Sequence, residues 1–167
     1  MAAHLFALDT GEVLASAGVM NPQIRFGEDL MSRVSYAMMN ESGAADMTAA
    51  VRDAMNTLAQ DLAREAGISV TDIYETVFVM NPVMHHLLLG LDPIPLGQAP
   101  FALALSSSLD VPAQEIGLDF APNAQVYILP LIAGHVGADA AAVALSEAPQ
   151  TVDPLTLIVD VGTNAEI

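Results

Sequence analysis

The chain has 167 residues, enough for one domain with a sizeable core and too few for two well-formed ones, and its 53% hydrophobic and 14% charged content excludes intrinsic disorder and a charged coiled coil. Twenty acidic residues against four arginines and no lysine give a formal charge of −16, which repels nucleic acid and anionic membranes and reads as a solubility device. With no cysteine, the chain can hold no disulfide framework, zinc ribbon or iron–sulfur cluster of its own.

At the N-terminus, "AAHLFALD" and "VLASAGV" flank Thr10-Gly11 and predict a β-hairpin. The chain thus opens inside a strand, and residues upstream are expected. Asp9 and Glu12 stand where a signal peptide would be apolar, and no basic n-region precedes them, so a cytoplasmic protein is expected. A helix follows over residues 27–39, with Leu30, Val34, Ala37 and Met38 on one face and Glu28 and Asp29 favouring its first turn. The next helix covers residues 48–66, with Val51, Met55, Leu58 and Leu62 inward and Gly67 as its stop.

"TVFVMN" predicts a short buried strand leading into "NPVMHHLLLG", where Asn81 caps a helix, Pro82 suits its first position and Gly90 ends it. Residues 91–125 are rich in Pro, Gly and Ser and predict an irregular excursion with one short helix over 112–116. "VYILPLIAG" is the next strand, "GADAAAVALSE" a helix and "LTLIVDVGT" the last strand. The predicted order is ββα(α)βαβαβ, an α/β fold. The nearly uncharged run "APNAQVYILPLIAGHVGA" is broken by Asn123, Gln125, Pro130, Gly134 and His135, and reads as strand and turn rather than a membrane span.

Three places could carry chemistry. At the last strand's end, Asp160 breaks the apolar run, Gly162 permits close backbone approach, and Thr163 and Asn164 offer groups to phosphate oxygens, so the turn could hold a Mg²⁺-bound phosphate. D-x-G-T also arises wherever a strand simply turns. "GHVGADAAAVAL" opens a helix whose first amides could face an anion, or whose Gly134 and Gly137 could serve close packing. It is no Walker loop, since the chain has no lysine. His85 and His86 are adjacent on a helix, about 100° apart, so no metal site is expected from them. One is expected to pack or cap inside and the other to face solvent or a partner. Neither a G-x-S-x-G elbow nor a Ser-His-Asp order is present.

"NPQIRFGEDLMSRVSYA", "MHHLLLGLDP" and "LPLIAGHVGADAAAVAL…LIVDVGTNAEI", in this order, closely resemble the central part of the reductive activators of corrinoid-dependent methyltransferases. The resemblance covers nearly the whole chain. It implies a ribonuclease-H-like first lobe of an actin-type ATPase over residues 1–154, a mixed sheet flanked by helices and lacking its first strand. Residues 155–167 would be the first strand and phosphate loop of a second lobe.

By that likeness Asp160, Gly162, Thr163 and Asn164 are nucleotide-binding, Gly137 and Asp139 begin a lobe-connecting helix, and Asn81, His85 and His86 are structural or interfacial. The parent would use ATP and Mg²⁺, carry its iron–sulfur cluster in an N-terminal domain, and act on a corrinoid protein, while homodimerisation is left open. The isolated chain, whether natural fragment or excised piece, would be inactive, and residues 155–162 could substitute for the missing first strand. The rivals are a small-molecule kinase lobe and a non-catalytic docking or dimerisation module. The sequence departs from the family pattern in reading Met80-Asn81-Pro82 where G-N-T is usual and Ala165 where Gly is usual.

Overall fold

The computed structural model describes residues 1–148, 151, 157–161 and 165–166. Strands β1 (Ala2–Phe6) and β2 (Val13–Gly18) form the expected antiparallel hairpin. Its turn depends on Gly11, whose φ of 72° is disfavoured for other residues. Ala3, Leu5, Ala15 and Ala17 on one hairpin face pack against Leu58, Leu62 and Ala66 of the long helix α2 (Gly43–Ala66). Phe6 and Leu14 remain exposed.

Helix α1 (Leu30–Met39) is capped by Asp29, whose carboxylate accepts the Ser32 amide at 2.7 Å. Val34 and Ala37 are buried as the stripe predicts, whereas Met38 is 61% exposed. Helix α2 begins at Gly43, five residues before the expected start. Gly43 lies so close to α1 that a Cβ would stand 3.0 Å from the Ala37 Cα. Gly67 ends α2 in the left-handed conformation.

Strands β3 (Glu75–Phe78), β4 (Leu109–Pro112) and β5 (Gln125–Ile128) form a mixed sheet in the order β3-β5-β4, β3 parallel and β4 antiparallel to β5. β4 lies inside the stretch expected to be irregular. The short helix predicted after it is a 3₁₀ turn over Ala113–Ile116. Helix α3 (Pro82–Leu89) follows β3, and α4 (Ala138–Glu147) follows β5.

α3 joins two apolar clusters. Val83 and Leu87 pack with Val34, Met47 and Leu96, and Leu88 packs with Val126, Ile128 and Leu118. At the C-terminal end, β6 (Asp160–Val161) pairs antiparallel with β7 (Ala165–Glu166) and, among the described residues, joins neither larger sheet. Leu157 is 74% exposed. Of residues 155–162, expected as a substitute for a missing first strand, 155, 156 and 162 lie outside the described residues; 157–159 join no strand, and 160–161 pair only with 165–166. Among the described residues, no helix is long and apolar enough to cross a membrane.

Candidate functional site

Because β3 and β5 are parallel, their carboxyl ends open on the same side, where α/β sheets bind ligands. β3 leads through a short turn into α3 and β5 through the loop 129–137 into α4, and the two helix N-termini meet. The Ala138 amide donates to the Met80 carbonyl at 3.1 Å. Gly137 is pressed so closely on the preceding turn that a Cβ would stand 2.7 Å from the Asn81 Cα and 2.8 Å from the Met80 oxygen. Its φ is −92°, so what demands glycine here is space.

Asn81 caps α3 as predicted: its side-chain oxygen accepts the Met84 amide at 2.9 Å, and its carbonyl accepts the His85 amide at 3.0 Å. On α4 the Asp139 carboxylate accepts the Ala140 amide at 3.1 Å. The Ala138 and Ala140 amides are thus both engaged, two of the four at the start of α4. Gly134 and Gly137 in "GHVGADAAAVAL" are both closely packed, as one of the two readings expects.

The histidine pair departs from expectation, since His85 and His86 are both fully buried. The reason lies in α3, which is apolar on every side and is covered by α1 and α2, by the sheet and by the segment around Ala104. His86 bridges two backbones. Its Nε2 accepts the Ala104 amide at 3.0 Å, so the proton sits on Nδ1, which donates to the Pro82 carbonyl at 2.8 Å. Burial lowers its pKa against the opposing pull of the Pro82 carbonyl and Asp92. His85 has no partner for either ring nitrogen among the described residues. Burial, with His86 beside it, pushes its pKa down to about 4, so the ring is neutral at pH 7. No group of three or more His, Cys, Asp or Glu side chains able to hold a metal occurs among the described residues.

The opposite end of α3 is held by side chains that sequence reasoning missed. Thr48 Oγ1 donates to the Leu87 carbonyl at 2.7 Å, and Arg52 Nε and an Nη donate to the Leu88 carbonyl at 2.9 and 2.8 Å. The signal was present, because Thr48 and Arg52 stand four apart on α2 beside its inward stripe. Both line an open groove of about 680 Å³ with Glu41 and Asp92. Of the predicted phosphate loop, Asp160 lies in β6, while Gly162, Thr163 and Asn164 lie outside the described residues.

The mixed sheet, its flanking helices and the strand-end junction define an α/β lobe of the expected ribonuclease-H-like class, with the β1-β2 hairpin a separate sheet. Residues 1–149 match the family described as the RACo middle region. Over 164 residues the chain is 33% identical to the corrinoid activation enzyme RamQ of Eubacterium limosum, covering 98% of this chain and 27% of that protein. A solved structure of a reductive activator for corrinoid, iron–sulfur protein matches with a TM-score of 0.93 and 34% identity, over 98% of this chain and 26% of that one. The chain belongs to the RACo middle region family. It spans about a quarter of the length of these relatives.

Proposed function

We propose that this chain is the middle part of a reductive activator that uses ATP to drive one-electron reduction of an inactive cobalt(II) corrinoid protein in a methyltransferase system. The observation that carries this reading is similarity over 98% of the chain both to a corrinoid activation enzyme and to a reductive activator. Residues 1–154 form the first lobe in this reading, and 155–167 begin the second. α4, starting at Gly137 and Asp139, leads from one to the other.

The donor set at 160–164 suits magnesium and phosphate. A carboxylate oxygen from Asp160 fits the hard cation, Gly162 admits close backbone approach, and the Thr163 hydroxyl and Asn164 amide can donate to phosphate oxygens. Bound Mg-ATP supplies the free energy for the uphill electron transfer. The iron–sulfur cluster belongs to another part of the parent protein, because this chain has no cysteine. We place the parent in the cytoplasm, docking a corrinoid protein as a monomer or a homodimer.

The test uses the full-length activator and its corrinoid protein, with cobalt reduction followed by absorbance. Asp160→Asn is expected to abolish ATP-dependent reduction while leaving the iron–sulfur spectrum intact. ATP-dependent reduction at the unaltered rate would overturn the assignment of the phosphate loop. The isolated 167-residue chain is expected to show no Mg-ATP binding by calorimetry, and a micromolar Kd would overturn the two-lobe reading.

A further inference from the structure

One segment is fastened both to α3 and to the loop that leads into α4. Residues 96–106 pass over the molecule between α3 and the loop 129–137 that leads into α4. On the α3 side, the Ala104 amide donates to the buried Nε2 of His86 at 3.0 Å. On the α4 side there are four attachments. His135 Nε2 donates to the Leu96 carbonyl at 3.1 Å, and its ring lies tilted at 49° against Phe101 with centroids 4.5 Å apart. The Leu131 amide donates to the Ser106 carbonyl at 2.9 Å. Gly134 lies directly under Phe101, where any Cβ would strike the Phe101 carbonyl oxygen.

Phe101 itself is strained. Its φ of 59° is in the left-handed region that residues with a side chain avoid, and a bulky residue stays there only when its surroundings hold it. Phe101 is 40% exposed, and the contacts on its covered side are the ring of His135 and the backbone of Gly134, while its amide donates to the Gln98 carbonyl at 2.7 Å. The loop beneath is stiff as well: Ala133 and Val136 form a two-way backbone bridge that ends one residue before the tightly packed Gly137. A displacement of Phe101 therefore has a short, rigid path to the first turn of α4.

We propose that residues 96–106 form a clasp that fixes the start of α4 relative to α3, with His86 and Phe101 as its positioning residues. His86 anchors the clasp to the core through its Nδ1–H tautomer, and Phe101 presses it on the loop that feeds Gly137. The clasp thus sets the position from which α4 leaves the lobe. Its significance for nucleotide handling rests on the function proposed above. The coupling itself does not, and the test reads the coupling directly.

The experiment is amide hydrogen exchange on the folded 167-residue chain and its Phe101→Gly and His86→Leu variants. Phe101→Gly relieves the backbone strain and removes the ring, so the chain is expected to fold. The Leu131 and Ala138 amides should then exchange about tenfold faster, while Val126 and Ile128 in β5 keep their protection. In His86→Leu the Ala104 amide should lose its protection, with the same acceleration at Leu131 and Ala138. If His86→Leu does not fold, Phe101→Gly alone decides. Leu131 and Ala138 exchanging at the wild-type rate in folded Phe101→Gly would overturn the proposal, as would an equal acceleration of every amide, which would report global destabilisation.

Discussion

α3 and α4 start side by side at the ends of two parallel strands, are of similar length and are both mostly apolar, yet the protein treats them differently. In α3 six of the eight residues are buried, His85 and His86 among them. In α4 only Ala138 is buried, and Leu145 is 73% exposed. α3 is secured at both ends, by Asn81 at the first and by Gly90, Thr48 and Arg52 at the last. α4 ends on Ala148 in the left-handed conformation without a glycine. There the Ala148 amide donates to the Ala144 carbonyl at 3.1 Å and its carbonyl accepts the Thr151 hydroxyl at 2.7 Å, but among the described residues no side chain from another element holds that end. Hydropathy alone does not decide which helix is buried; what covers it and what satisfies its terminal groups do.

The most direct way to break this comparison is to truncate one leucine in each helix. Leu87→Ala removes a fully buried side chain between α1 and α2 and should cost about 2–5 kcal/mol. Leu145→Ala should change stability by no more than about 0.5 kcal/mol. Urea unfolding monitored by circular dichroism measures both, and equal losses would mean that α4 is as deeply packed as α3.

Acid should act through α3 as well. The folded-state pKa of His85 is about 4 against an ordinary value of 6.5, so between these values the unfolded chain binds a proton that the folded chain refuses. Stability contributed by the neutral ring is fully present above about pH 6.5 and is lost as the pH falls towards 4. The whole step is worth about 3 kcal/mol. His85→Leu should flatten this part of the pH–stability curve, and an unchanged slope would place the acid sensitivity elsewhere.

Much of this arrangement is legible in the sequence because the signals are local. Thr10-Gly11, Asn81-Pro82, Gly67 and Gly90 punctuate the elements they were expected to punctuate, and the stripe Val51, Leu58, Leu62 faces the core. What is illegible depends on contacts between distant segments. β4 was hidden because its four residues include Pro112 and lie in a Pro- and Ser-rich stretch, and only pairing with β5 makes them a strand. Gly43 extends α2 because α1 needs a residue without a side chain beside it. His86 is buried because Ala104, 18 residues away, supplies its partner. Asp160 to Asn164 stood out through residue type, which suggests chemistry but carries no geometry.

Gly137 sharpens the comparison at the point where the two helices touch. Gly137→Ala places a methyl group against the Asn81 Cα and the Met80 carbonyl, and overpacking of this kind costs about 1–3 kcal/mol. Since α4 has no other fully buried residue among the described ones, the loss should come mainly from its first turn. Thermal melting gives the total, and hydrogen exchange at Ala138 and Ala140 shows where it falls. A variant with wild-type stability and protected α4 amides would show that the junction can open without cost.

The smallest effect tests the cap that starts α3. Asn81→Ala removes the oxygen that accepts the Met84 amide at 2.9 Å, and the loss of such a cap costs about 1 kcal/mol. Asn81→Asp keeps an acceptor in the same place and adds negative charge at a helix N-terminus, which the helix dipole favours. It should therefore match the wild type to within about 0.5 kcal/mol at low salt and lose that advantage as its carboxylate protonates. The same substitution pattern at Asp29, the exposed cap of α1, separates capping from burial. If Asn81→Ala proved neutral while Asp29→Ala was costly, tertiary packing alone would hold the start of α3, and the contrast with α4 would lie wholly in what covers each helix.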